Sequence, residues 1–235
     1  VLNTLVKGVQ KEMESYDPTR AGRLIEDFVN NDLSNWYVRL NRKRFWGKEM
    51  SQDKLAAYQT LYTCLTTVAK LLAPFAPFFA DQLFCDLGAA QLENTTSVHL
   101  AKFPVADESL IDRELEERMG MAQKITSMVH ALRKKVNIAV RQPLQAIMIP
   151  AVDDEQRRHI EAVKDLILSE VNVKELRFVE GSGVLVKKVK CNFRTMGKKF
   201  GKLMKGIAAA MSALDQNQIA ELETNGKIAV EVEGN

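Results

Sequence analysis

The sequence predicts a mainly α protein: an antiparallel helix bundle followed by a small two-layer α+β domain. Three observations carry this. Apolar residues recur at helical spacing over long stretches between Asp17 and Val136. After Pro143 the texture changes to short alternating runs broken by turn signals. No apolar run reaches the roughly 18–20 residues that a bilayer span needs. On this reading residues 1–142 form the bundle with its long connecting helix, and residues 143–235 form the C-terminal α+β domain.

Val1 to Ser15 reads as the end of a helix, so the chain looks cut from something longer. Asp17-Pro18 is a start signal, the carboxylate capping and proline taking the first helical position. From there Leu24, Ile25, Phe28, Val29, Leu33, Trp36, Tyr37 and Leu40 keep one stripe, which predicts a single helix to about Phe45 despite the weakening Asn30-Asn31-Asp32 run. Ser51 restarts a helix through Leu55, Tyr58, Tyr62, Leu65 and Leu72, broken by Pro74 and Pro77. Phe78 to Leu87 is a short helix stopped by Gly88. Gln91 to Leu110 lacks a period and reads as a connector. Asp112 opens the longest pattern, Leu115, Met119, Ala122, Ile125, Val129, Leu132 and Val136, ending before Pro143.

Beyond it, Leu144 to Ile149 is an apolar run, and Asp153 to Ser169 an amphipathic helix. Lys174 to Val179 and Val184 to Cys191 alternate about the turn Gly181-Ser182-Gly183, which predicts a hairpin. Gly197 to Leu214 and Gln216 to Glu223 read as helices, and Asn225-Gly226 leads to a last strand, Ile228 to Val232.

The net charge is only +3, but the charges are segregated. Gly181 to Leu214 carries eight Lys/Arg and no acid, and Arg118 to Val152 carries six and no acid. Such basic blocks on a nearly neutral chain imply a polyanion partner. Cys64, Cys85 and Cys191 are far apart and form no CxxC pair, which argues against a disulfide framework or a zinc site and for a reducing, cytoplasmic setting.

Catalytic constellations are not visible. No HExxH, GxSxG or GxxxxGK[ST] occurs. His99, His130 and His159 stand alone, and His130 and His159 read as surface residues. Binding chemistry is visible. From Leu33 through Lys48 there is no acid, while Arg39, Arg42, Lys43 and Arg44 lie among Trp36, Tyr37, Phe45 and Trp46. A core does not need four cations in six residues, and a solvated face does not need two tryptophans; an RNA-binding surface uses both. Spacings of three, four and seven place Arg39, Arg42, Lys43 and Trp46 on one helix face. Trp36 shares phase with Val29, Leu33 and Leu40 and belongs to the core; Tyr37 fits either role. Arg133, Lys134, Lys135 and Arg141 form a second basic patch. Arg194, Lys198, Lys199, Lys202 and Lys205 form a third, in which Phe193 and Phe200 serve either to anchor the helix or to touch RNA.

The same stretches resemble a known family. DPTRAGRLIEDFVNNDLSNWYVRLNRKRFW (Asp17 to Trp46) is similar to the anticodon-binding helix bundle of class I aminoacyl-tRNA synthetases, in the isoleucyl form. LLAPFAPFFADQLF (Leu71 to Phe84) resembles the proline-broken helix shared by the isoleucyl, valyl and leucyl members. VRQPL (Val140 to Leu144), LSEVNVKEL (Leu168 to Leu176) and NFRTMGKKFGKLMK (Asn192 to Lys205) resemble the isoleucyl C-terminal portion. The resemblance implies a tRNA-binding piece of an enzyme that activates isoleucine with ATP and magnesium and transfers it to tRNA. It implies no cofactor or metal in this piece, since the HIGH and KMSKS signatures of the catalytic domain are missing and the tail resembles the α+β form rather than the cysteine-rich zinc form. The implied partners are tRNA and the catalytic domain of the parent chain, not a membrane and not DNA. A different class of function is a protein-interaction or assembly appendage, motivated by the near-heptad stripe of the 112–139 helix.

Overall fold

A computed structural model of the chain describes residues 1–150, 153–179 and 189–229. The architecture is mainly helical with one small parallel sheet of two strands. The chain divides into two contact-dense units. The first comprises Val1–Leu144 with Arg158–Lys174, the second Gln145–Arg157 with the chain from Glu175 onward.

In the first unit, α1 (Leu2–Glu14) packs on α2 (Pro18–Asp27). Asp17 caps α2 by accepting from the Arg20 amide, and Pro18 takes the first helical position, as the sequence predicts. A Cβ on Gly8 would stand 3.1 Å from the Leu24 side chain, so the two helices meet closely there. The helix does not continue regularly to Phe45. Phe28–Val38 is wound as a π-helix, and Asn41 interrupts the chain before α3 (Arg42–Trp46). Both departures sit on residues that compete for backbone groups. The π segment contains Asn30-Asn31-Asp32, and Asn41 turns its amide onto the Tyr37 carbonyl at 2.8 Å. The wider turn lets Phe28 and Leu33, five residues apart, share the buried face with Trp36.

Ser51 caps α4 (Gln52–Leu72) through the Lys54 amide. Leu5, Val6 and Val9 of α1, Ile25 and Phe28, Leu33, and Cys64, Val68 and Leu71 of α4 make the main core. Each such large side chain contributes about 1.5–3 kcal/mol on burial. The other side of α4 buries Ala69 against Ala80 and Phe84 of α5 (Pro77–Asp86) and Ala89 and Ala90 of α6 (Ala89–Leu92). The connector after α6 contains two 3-10 turns, Val98–Leu100 and Glu108–Leu110. Asp81 of α5 holds the first of them, accepting from the Ser97 hydroxyl at 2.7 Å and the Val98 amide at 2.8 Å.

Asp112 caps α7 (Arg113–Lys135). Its apolar stripe is buried only in the middle, at Ala122 and Ile125; Leu115, Leu132 and Val136 are exposed. The helix ends on Asn137 in the left-handed conformation, with Ile138 donating back to the Arg133 carbonyl and Asn137 to that of Lys134. Such an ending satisfies carbonyls that would otherwise be orphaned.

The chain continues through β1 (Leu144–Pro150), α8 (Asp154–Ala162), α9 (Lys164–Val171) and β2 (Val173–Val179), a strand–helix–strand crossover in place of the simple Asp153–Ser169 helix. The helix breaks at Val163, whose amide reaches only three residues back, to Ile160. Ile160, Ile167 and Val171 are buried on either side of the break. His159, read from the sequence as a surface residue, is buried, because it shares the inward side of α8 with Ile160. Its Nε2 lies 3.5 Å from Glu114 of α7.

In the second unit Arg157 of α8 stacks over the Phe178 ring of β2 at 4.9 Å. The expected hairpin partner, Val184 to Cys191, lies largely outside the described residues, as does most of the last strand, Ile228 to Val232; the described parts, 189–191 and 228–229, have no regular structure. The helix expected from Gly197 starts earlier, as α10 (Phe193–Phe200), because Asn192 caps it through the Arg194 amide. It breaks at Gly201, whose φ of 40° suits glycine, before α11 (Met204–Ser212). A reciprocal cap between Asp215 and Gln218 starts α12 (Gln216–Asn225). Leu176, Met204, Ile207 and Ile219 are buried.

Candidate nucleic-acid interface

The first basic-aromatic segment is organised by Phe45. Its ring stands edge-on to Tyr58, centroids 5.1 Å apart, and to Tyr37 at 6.3 Å. The Tyr37 hydroxyl donates to the Ala57 carbonyl and the Tyr58 hydroxyl to the Phe45 carbonyl, so the π-helical segment and α3 are each fixed to α4. Turning Phe45 inward turns its neighbour outward: Trp46 is 78% exposed. Trp36 is 9% exposed, in the core as its phase requires. Arg42 and Lys43, one turn before Trp46 on α3, are exposed and have no ion pair among the described residues. Lys48 and Lys54 line the same recess as Lys43. Two free cations beside an exposed indole can pair with phosphates and stack a base.

Arg44 is engaged otherwise. Its Nε and Nη2 grip the Asp53 carboxylate at 2.7 and 2.6 Å, and Nη1 donates to Asn41 at 2.8 Å. The hydrogen bond to Asp53 pushes the guanidinium pKa further up. Arg44 therefore joins α3 to α4 with its charge already compensated. Arg39 precedes the break at Asn41, so it does not share the α3 face; it forms an ion pair with Glu170 of α9.

In the second patch the structure separates Arg133 from its neighbours. Arg133 is 2% exposed and donates to four backbone carbonyls: Ala139 at 3.1 Å, Gln142 at 3.0 Å, Val171 at 2.9 Å and Asn172 at 3.1 Å. It is expected from the sequence to meet a phosphate; enclosed this way, it clasps the 136–143 loop to the end of α9 and has no exposed face for an anion. Asn172, left-handed at φ 53°, adds a bond from its amide to the Val140 carbonyl. The clasped loop presents Arg141 to solvent, and Lys134 and Lys135 are exposed on α7. In the third block Arg194 and Lys205 are exposed. Lys198 and Lys199 fall on α10 and Lys202 on the turn after it, but their side chains lie outside the described ones.

A feature not visible in the sequence is a cleft of about 660 Å³ in the first unit, between the π-helical segment, α7 and α9. Asn31, Asn35 and Arg39 line one side, Thr126, Ser127 and Met128 another, with His130 and Glu170 beside them. Thr126 is 5% exposed, and among the described residues its Oγ1 has no hydrogen-bond partner; neither have the two ring nitrogens of His130 nor Nε1 of Trp36. Each such buried group costs roughly 1–3 kcal/mol. His130 Nε2 lies 3.8 Å from the Glu170 oxygen that Arg39 pairs with. The sequence signals near this site were Arg39 and the Asn30-Asn31-Asp32 interruption of the stripe; Thr126 carried none.

Among the described residues no cluster of His, Cys, Asp and Glu is arranged to hold a metal, and no helix is long and apolar enough to cross a membrane. The cysteines are unpaired, and burial pushes the Cys64 thiol pKa up.

A capped helix bundle agrees with what comparison with known proteins finds. The family model described as "Anticodon-binding domain of tRNA ligase" matches residues 1–148, and the chain belongs to this family. The isoleucine–tRNA ligase of Bacteroides thetaiotaomicron is 64% identical over 100% of the chain and 20% of its own length. Those of Porphyromonas gingivalis and Clostridium novyi are 57% and 39% identical, each over 99% of the chain and 20% and 22% of their own lengths. The chain thus spans about a fifth of the curated relatives it matches.

Proposed function

We propose that this chain is the anticodon-binding part of an isoleucine–tRNA ligase and grips the anticodon stem-loop of its tRNA. The parent enzyme would attach isoleucine to that tRNA with ATP and magnesium in the cytoplasm, through a catalytic domain to which this chain delivers the RNA. The observation that carries the reading is the corner at α3, where Trp46 is exposed beside Arg42 and Lys43, both free of carboxylate partners among the described residues. Arg141, Lys134, Arg194 and Lys205, all exposed, extend the set of cations available to phosphates; Lys198, Lys199 and Lys202 belong to it by sequence. Affinity from such a set is electrostatic and falls with salt, while unpaired bases supply specificity by stacking and edge hydrogen bonds.

Titrating the chain with isoleucine tRNA at several salt concentrations tests the reading. Binding is expected to weaken steeply with salt, and Trp46→Ala to cost about 1–3 kcal/mol of affinity while changing folding stability by less than about 0.5 kcal/mol. Binding indifferent to salt, or undiminished in Trp46→Ala, would count against it.

A further inference from the structure

We propose that the cleft between the π-helical segment, α7 and α9 takes up one unstacked nucleobase that carries an exocyclic amino group. This rests on the tRNA-binding reading above and specifies where one base goes and what reads it.

The acceptor is Glu170. Its carboxylate is 12% exposed at the cleft; Arg39 and His130 approach Oε1, while Oε2 accepts no hydrogen bond among the described residues. A carboxylate only accepts, so it selects a base edge with N–H donors, as acidic side chains do with the cytosine amino group. The cleft volume lies within the roughly 300–1,000 Å³ of small-ligand sites and suits a base with its ribose. Met128 offers a polarizable apolar wall to a heteroaromatic ring.

Thr126 gives the second, independent pointer. It is only 5% exposed, lines the cleft, and has no hydrogen-bond partner for Oγ1 among the described residues. Neither ring nitrogen of His130 has a hydrogen-bond partner among the described residues. A polar ligand edge entering the cleft gives these groups the partners they lack.

The cleft also continues the basic corner. Arg39 lies three residues before Arg42 in the chain, on the other side of the break at Asn41. An RNA strand with phosphates on Arg42 and Lys43 would meet Arg39 as the next cation along the chain. Transfer of Arg39 from Glu170 to a phosphate leaves the whole carboxylate to the base. Cation and acid thus separate onto backbone and base when RNA arrives.

The test uses this chain and RNA hairpins that differ by cytosine or uracil at one unpaired loop position, each position in turn. At one position cytosine should bind better than uracil, by about tenfold. Glu170→Gln should abolish that preference, and Ser127→Trp, which fills the cleft from its rim, should weaken cytosine binding about tenfold without changing the salt slope. No preference at any position, an undiminished preference in Glu170→Gln, or a folded Ser127→Trp that binds like the parent would overturn the proposal. If Ser127→Trp fails to fold by circular dichroism, Glu170→Gln decides alone. A parent chain that binds no hairpin in a salt-dependent way sinks the tRNA reading itself, whereas salt-dependent binding with no effect of either variant sinks only the cleft.

Discussion

Arg44 and Asp53 form a two-pronged ion pair that joins α3 to α4, with Nε–Oδ2 at 2.7 Å and Nη2–Oδ1 at 2.6 Å. Its neighbours Arg42 and Lys43 have no such partner among the described residues, although all three cations are adjacent in sequence. The pair separates a structural arginine from two that are free to meet phosphate.

That separation has a measurable consequence. Arg42→Ala should reduce the salt slope of tRNA binding by about one, because one released counterion is lost. Arg44→Gln should leave the slope unchanged, its charge being already neutralised by Asp53, and should instead loosen the α3–α4 corner. Equal slopes in the two variants would contradict the assignment.

Arg133 should prove a stability residue. Replacing it by methionine leaves carbonyls of Val171, Asn172, Ala139 and Gln142 without their donor, at a cost of about 3 kcal/mol in urea unfolding. Lysine should not rescue, since an ammonium cannot span four carbonyls as a planar fork does. A variant as stable as the parent would refute the clasp.

Tyr16 ends α1 at φ 55° with its side chain 93% exposed. A tyrosine gains nothing there to offset the left-handed strain, and its amide and the next bond back to Met13 and Glu12 in a glycine-type ending. Tyr16→Gly should therefore stabilise the chain by about 1 kcal/mol in thermal or urea unfolding. Destabilisation would show that the aromatic ring contributes through contacts of its own.

Acidification should weaken the chain through Asp81. Hydrogen bonds from the Ser97 hydroxyl, then from the Val98 amide, hold its pKa below the ordinary carboxylate value. A depressed folded pKa means stability that is present above the unfolded value and is lost as pH falls through the folded one, here below about pH 4. Asp81→Asn should be less stable at neutral pH and should lose less between about pH 5 and pH 3. Lys7 acts on Glu108 in the same sense, so a residual acid slope is expected in the variant. An unaltered slope would remove Asp81 from this role.

Much of the fold was legible in the chain because its signals are local. Asp17, Ser51, Asp112 and Asp215 cap amides three residues away, a reach the sequence displays directly. Trp36 is buried as its place in the stripe predicts, whereas Trp46, beyond the break at Asn41, is exposed because Phe45 takes the inward position. Even the winding of Phe28–Val38 had its trace in Asn30-Asn31-Asp32, which marked where the helix would depart from the regular form though not how.

What sequence alone determined is thus the mainly helical class, several capped helix starts and the position of a basic-aromatic segment. Which of the cations are free was settled only by tertiary structure. Arg133 meets carbonyls 38 and 39 residues later in the chain, Arg39 meets Glu170 on another helix, and Arg44 meets an acid beyond the next turn. A cap or a stripe is decided by neighbours a few residues apart, whereas an arginine binds whichever carbonyl or carboxylate the folded chain brings within about 3 Å, and no local pattern encodes that distance.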